Sequence, residues 1–501
     1  MDISKIIANS KLTNASPRYL QIAEIISNGI KDSSLKTGTR LPSERELALL
    51  FKVSRTTAIN AYRYLEQQNL VVTKKGSGTF ITGPQLNPRS NKLEIPWNQI
   101  FRPYRQTSLS SLMNELLAGS AATETISLDA GMPDPRFYPL GTFKEIFSQH
   151  INTSEAKHFG HIPIEGLGTL RTSIAEMLKE KGIGTNHDHI LITSGSQQGI
   201  YLISQVFIEP GDYVVVESPT YLGAIQVLQA AGAKILSLPL KNDLSLNLLE
   251  DYLVRYRPKF FYTIPTYQNP TGKVMSQTER KQLIELATRH RLIIIEDDPY
   301  SEFYYEEKPP QPIKGLTDYE GTVYLSTFSK ILMPGLRLGY IAAHPTLISR
   351  LTMEKQYNDL HSNNLSQWLL HFYLARGELV KHLSLVREEY KNRRNTLFYG
   401  LKELLPEGLS FSLPAGGFYI WCKILLPFNS RKLLQEGLKT GISFVPGDAF
   451  DISANHKEFR LCFTSNDREM LAEAALRLAK AFKQVRKYDT APAARDLKPL
   501  I

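Results

Sequence analysis

Residues 293–303 read IIIEDDPYSEF. Three consecutive isoleucines make a short, continuous apolar run, as in a strand covered on both faces, and such strands belong to parallel sheets. The run ends in acids, and Tyr300 follows three residues after Asp297. In open α/β sheets, ligands gather at the carboxyl ends of the strands, so this is where chemistry is expected. These acids could hold a metal, but no histidine or further carboxylate cluster accompanies them, so the metal reading is the weaker one.

Working outward, six further runs have the same character: HILITSG, DYVVVES, AKILSLPL, KFFYTIP, TVYLSTF and LGYIAAH. Helical patterns alternate with them. The expectation is an α/β unit with a mainly parallel sheet, starting near residue 126. Beyond about residue 345 come long helical patterns, then LSFSLPAGGFYIWCKI, ISFVPG and FRLCFT, which read as strands of a smaller C-terminal α+β unit (about 346–485). Residues 486–501 have little pattern and read as a tail.

The chain has 501 residues, 42% hydrophobic and 22% charged. It is too long for one ordinary core and has a globular composition. It has no apolar run of membrane-spanning length, and its first residues lack the order of a signal peptide. Its two cysteines, Cys422 and Cys462, give neither a disulfide framework nor a metal cluster. The cytoplasm is the expected compartment. Net charge is +10, and residues 1–82 hold twelve Lys and Arg against six Asp and Glu. A basic terminal module points to an anionic partner such as DNA, although a solvated charged face would look the same.

Within residues 16–82, Ile22, Ile25, Ile26 and Ile30 share one face of a first helix. Ser43 and Glu46 have capping-box spacing for a second helix. Ser54 can cap a third, RTTAINAYRYLEQQ, with Ala58, Ala61 and Leu65 inward and Arg55, Thr56 and Thr57 in an exposed first turn. A recognition helix needs its donors there. LVVTKKGSGTFIT reads as two strands around a Gly-rich turn, a basic wing. A small helical bundle that binds protein is the alternative. Residues 83–125, with Pro84, Pro88 and Pro96, read as a linker, with a short helix over 108–119.

The pattern RLPSERELA, VSRTT, YRYLEQQNLV and GSGTF resembles the winged helix-turn-helix of the GntR family of bacterial regulators. That resemblance implies DNA contacts at Arg45, Ser54, Arg55, Thr56, Thr57 and Gly76. Some members carry an arginine where this chain has Ile59, so the base sequence read is not inherited.

The ordered set GSQQ, PTY, NPTG, EDDPY, TFSK and RLGY resembles fold-type I aminotransferases, which use pyridoxal 5'-phosphate. It implies that Lys330 forms the imine with the cofactor, that Asp297 pairs with the pyridine nitrogen, and that Asn269 and Tyr300 bind the ring hydroxyl. It also implies that Tyr221 stacks on the ring. Ser196, Gln197, Thr327, Ser329 and Arg337 would bind the phosphate, and Arg460 would grip a substrate carboxylate. Where the family usually has a tyrosine reaching the partner subunit's phosphate, this chain has His161.

Both units in one chain resemble the MocR/GabR family of transcription regulators. The implied function is binding of double-stranded operator DNA, controlled by a small amino acid or amine through external aldimine formation at Lys330, in a head-to-tail homodimer. An active aminotransferase carrying a DNA-binding domain is the alternative, and a purely structural large domain a third reading.

Overall fold

The structure is a computed structural model and describes residues 17–31, 34–74, 77–82, 125–153, 159–240, 244–405, 407–451 and 457–490. The expected 108–119 helix, Gly76 and the end of the tail lie outside these residues. The chain divides into two compact units, Met1–Arg105 and Gln106–Ile501.

Among the described residues, the N-terminal unit packs three helices and a hairpin. On α1 (Arg18–Lys31), Ile22 and Ile26 are fully buried, while Ile25 and Ile30 flank the core. Helix α2 (Glu44–Phe51) starts at Ser43 with both halves of the capping box. Ser43 Oγ accepts from the Glu46 N–H at 3.3 Å, and Glu46 Oε2 accepts from the Ser43 N–H at 2.7 Å. Helix α3 (Arg55–Gln67) is capped by Ser54 and buries Ala58, Ala61 and Leu65. Strands β1 (Val71–Lys74) and β2 (Gly78–Ile81) pair antiparallel, Val71 opposite Ile81.

In the large unit, all seven apolar runs form strands of one sheet: β4 (Ile190–Thr193), β5 (Tyr213–Ser218), β6 (Lys234–Pro239), β7 (Phe260–Thr263), β8 (Ile293–Asp297), β9 (Thr322–Thr327) and β10 (Gly339–Ala342). Their order is β4-β10-β9-β8-β7-β5-β6. Only β10 runs antiparallel to its neighbours, so the sheet is mainly parallel. Both faces are covered, which explains the unbroken apolar runs. Val214 and Val216 pack against one set of helices, including α6 (Ser196–Phe207). Val215, Phe261 and Ile294 pack against the opposite set, including α9 (Gln277–His290).

The C-terminal part builds a second, four-stranded sheet in the order β11 (Leu409–Ser410), β12 (Tyr419–Ile424), β15 (Glu458–Cys462) and β14 (Val445–Pro446). Two runs read as single strands are divided. ISFVPG splits because Ile442–Ser443 (β13) leaves to pair in parallel with β3 (Ile126–Ser127), while Val445–Pro446 stays on β15. LSFSLPAGGFYIWCKI contains β11 and β12 with a turn between them. No helix among the described residues is long and apolar enough to cross a membrane.

Helix α6 approaches the sheet closely at Gly199, where an added Cβ would lie 2.4 Å from Leu325 Cδ1. Gly199→Ala is expected to overpack this contact and cost about 1–3 kcal/mol. Chemical denaturation of the full chain measures it, and an unchanged midpoint would contradict the close packing.

Candidate functional site

Strand ends assemble the site in the large unit. Because β4, β9 and β8 run in one direction and β10 in the other, Thr193, Thr327 and Gly339 lie side by side and Asp297 sits opposite Leu325. The residues after β4, before β10 and after β9 therefore gather on the side where β8 delivers Asp297.

Asp297 is 2% exposed. Its Oδ2 accepts a 2.6 Å hydrogen bond from the Tyr262 hydroxyl, and its buried Oδ1 has no partner. Burial pushes its carboxyl up to about 7, against the Tyr262 hydrogen bond, with Asp298 pushing the same way as burial. The neighbouring acids point elsewhere. Glu296 accepts from the N–H groups of Ile313 and Lys314. Asp298 meets Ser301, Tyr324 and Lys181. The three acids diverge, so they do not form one ligand cluster.

Lys330 lies on a short helix, α10 (Phe328–Ile331), directly after β9. Its Nζ donates to the Gly131 carbonyl at 2.6 Å. Burial and the nearby Arg460 cation lower its amine to about 8, so an appreciable fraction is the nucleophilic free base near neutral pH.

Tyr300 is buried, with its hydroxyl 2.8 Å from that of Tyr419 and 3.5 Å from Asn269 Nδ2. Asn269 Oδ1 accepts from Arg460 Nη1 at 2.9 Å, and Arg460 Nη2 donates to the Asp129 carbonyl at 2.7 Å. The buried Arg460 Nε has no partner. The loop carrying Asn269 is clamped by two buried ionisable side chains. Glu217 accepts from the Ile264 N–H and Gln268 Nε2, both at 3.2 Å, while Arg280 donates to the Pro265 carbonyl and Thr266 Oγ1.

An anion cradle lies at the other end. Gly195 precedes α6 at φ +86°, supplies no side-chain cap to its first turn, and would place a Cβ 3.2 Å from Arg337 Nη2. Free N–H groups at a helix start, beside a guanidinium, suit a phosphate. Ser196 opens this helix, and Ser329 Oγ is buried without a partner. Two expected phosphate contacts also bond within the protein. The Thr327 hydroxyl donates to the Leu338 carbonyl and accepts from the Ser329 N–H. The Gln197 amide serves Tyr221 Oη at 3.0 Å and the Gly223 carbonyl at 3.1 Å. His161 is exposed and edge-on to His361, with ring centroids 5.5 Å apart.

Residues 134–478 match the family Aminotransferase class I and II, and residues 18–81 match Bacterial regulatory proteins, gntR family. The chain belongs to the class I and II aminotransferase family. It is 36% identical to aromatic-amino-acid aminotransferase 1 of Thermococcus litoralis, over 78% of this chain and 97% of that one. It is 33% identical to the uncharacterized HTH-type transcriptional regulator YisV of Bacillus subtilis, over 87% of this chain and 90% of that one. The kynurenine aminotransferase of Pyrococcus horikoshii, solved in complex with PMP, superposes with a TM-score of 0.74 at 34% identity, covering 78% of this chain and 98% of that one. The cofactor of the aminotransferase family is pyridoxal 5'-phosphate. The residues present fit it: an unpartnered buried carboxylate oxygen, a partly deprotonated lysine amine, and a glycine-lined anion cradle.

In the gntR-family unit, Arg45 and Thr56 are exposed, and Arg55 donates from Nε and Nη2 to Glu44 Oε2 at 3.3 and 3.1 Å. Ser54 spends its hydroxyl on the Thr57 N–H and side chain, so Thr57 is half-buried, not exposed as expected. Sequence reasoning missed Tyr262, Tyr419, Glu217 and Arg280. The available signals were a tyrosine inside an apolar strand and a lone acid closing DYVVVES.

Burial also raises Glu296 to about 7, with Arg280 opposing. An acid raised in the folded state destabilises folding as pH climbs from its unfolded value of about 4 toward its folded one. Asp297→Asn removes one such group. In cofactor-free protein, its stability relative to wild type should therefore improve as pH rises from about 4 to 7. Denaturation midpoints at both pH values measure this, and a constant difference would contradict it.

Proposed function

We propose that this protein is a transcription regulator of the MocR/GabR type, whose large unit senses an amino acid or related amine through pyridoxal 5'-phosphate held at Lys330. The observation that carries this reading is an intact cofactor set in the same chain as an exposed recognition helix. Asp297 keeps one buried oxygen without a partner, beside a lysine amine lowered to about 8. Thr56 and Arg45 present donors outward.

When bound, the cofactor supplies an aldehyde that exchanges amines and a ring that accepts electrons. Asp297 holds the proton at the ring nitrogen. Tyr300 and Asn269 bind the ring hydroxyl, and Tyr221 covers the ring face. Ser196, Ser329 and Arg337 hold the phosphate, with Gln197 and Thr327 acting through Tyr221 and the α10 backbone. Arg460 receives the carboxylate of the effector, aided by its unpartnered Nε. Binding there closes the large unit, and the linker (83–125) passes that change to Arg55, Thr56 and the wing with Gly76.

The proposed homodimer, head-to-tail by resemblance to the family, would use surface near the phosphate cradle. The Ser194 carbonyl accepts from Arg337, and its hydroxyl contacts Asp359 and Ser362. Beside these, Met353, Tyr357 and Leu360 are exposed, Tyr357 at 84%. A second copy would cover them and bring His161 toward its site. With a DNA partner, the compartment proposed is the cytoplasm. Active transamination is the second reading, favoured by the complete Lys330, Asp297 and Arg460 set. It would need a keto acid to restore the cofactor, whereas a sensor would not.

Lys330→Ala should lose the visible absorbance band of the attached cofactor and the effect of amino acids on DNA affinity. Its non-specific DNA affinity should stay within about twofold of wild type, because the basic N-terminal unit is untouched. An equal band in variant and wild type would contradict the assignment.

Arg55→Ala should weaken binding to a duplex selected from a random pool by roughly 5- to 150-fold, the worth of one bidentate base contact. Its visible spectrum should not change. Unaltered affinity for the selected duplex would count against α3 as the recognition helix.

A further inference from the structure

Tyr419 opens β12 and is buried, and three groups of the site converge on it. Its hydroxyl lies 2.8 Å from that of Tyr300. The Arg460 guanidinium sits over its ring, 4.2 Å from the centroid. Gly131 packs so tightly on the hydroxyl that an added Cβ would fall 1.9 Å from it. The Gly131 carbonyl in turn holds Lys330 Nζ. The ionisable groups facing the two tyrosines are Arg460 and Cys462 from β15, and Tyr221.

Each tyrosine hydroxyl carries one proton, so a single O–H···O bond joins Tyr300 and Tyr419 in one direction at a time. If Tyr419 donates, the Tyr300 proton is free for an acceptor in the site. If Tyr300 donates, the site sees only its lone pairs. Neither hydroxyl has bulk water to soften that choice. The cation over the Tyr419 ring makes this phenol the better donor. A carboxylate on Arg460 cancels that charge and weakens the donation.

We infer that Tyr419 is a positioning residue that couples a carboxylate bound at Arg460 to the proton offered by Tyr300 at the cofactor's ring hydroxyl. Arg460 therefore does more than grip: through Tyr419 it reports its occupancy to the cofactor. This inference rests on the proposed cofactor site at Lys330.

The test is a pH titration of the visible band of the cofactor-loaded full chain, with and without propanoate, a carboxylate with no amine. In wild type, propanoate should move the midpoint. Tyr419→Phe should still load one equivalent of cofactor. Its midpoint should differ from wild type by about half a pH unit, the size of one neutral hydrogen bond, and its response to propanoate should fall by more than about half. The Tyr300→Phe background guards against a merely structural effect. There, adding Tyr419→Phe should change neither midpoint nor response. No propanoate shift in wild type, an equal shift in Tyr419→Phe, or an undiminished Tyr419→Phe effect in the Tyr300→Phe background would overturn the inference. A wild-type chain with no visible band would overturn the cofactor reading itself, and this inference with it.

Discussion

A carboxyl group that is 2% exposed and bonded through only one oxygen imposes a demand on everything around it. Ionised, Asp297 needs a cation or a second donor; alone, burial drives it toward protonation. In the proposed site, a protonated pyridine nitrogen would meet that need and gain a fixed counter-charge in return. The large unit is arranged to keep Asp297 in this state. Strands β7 and β9 flank β8 on both sides, Tyr262 fixes one oxygen, and Asp298 is drawn away by Lys181. The loop with Asn269 is held by Glu217 and Arg280, which leaves Asn269 free to steady Arg460.

The same logic of paired burial orders the two ends of the site. At the end proposed for the phosphate, the first turn of α6 has no side-chain cap, Ser329 Oγ is buried without a partner, and Arg337 stands beside them on the Ser194 carbonyl. At the carboxylate end, Arg460 is held from two sides and stacked on Tyr419 and Phe450, with Nε left over. Between them lies Lys330. The N-terminal unit uses a different device. Exposed Arg55 pairs with Glu44 at the start of α3.

Features set by local physics were legible in the sequence. The seven strands announced themselves as apolar runs because both sheet faces are covered. The Ser43–Glu46 capping box and the Ser54 cap depend on residues three apart, and both form as read. What escaped depends on partners far along the chain. Tyr262 and Asp297 are 35 residues apart, and Tyr300 and Tyr419 are 119 apart. The division of ISFVPG has the same cause: Ile442 pairs with Ile126, a partner that no local pattern names. Thr327 and Gln197, expected at the phosphate, also bond within the protein, where they help hold α10 and Tyr221. A motif marks position, whereas a neighbour decides which hydrogen bond is made.

The central claim is that the Asp297 pocket brings pyridoxal 5'-phosphate to the amine of Lys330 and to no other lysine. The most direct test is borohydride reduction of the cofactor-loaded protein, followed by peptide mass spectrometry. The account predicts a phosphopyridoxyl group on Lys330, within residues 327–340, and its loss when Asp297 is replaced by alanine. A cofactor adduct on another lysine, or none on Lys330, would contradict it.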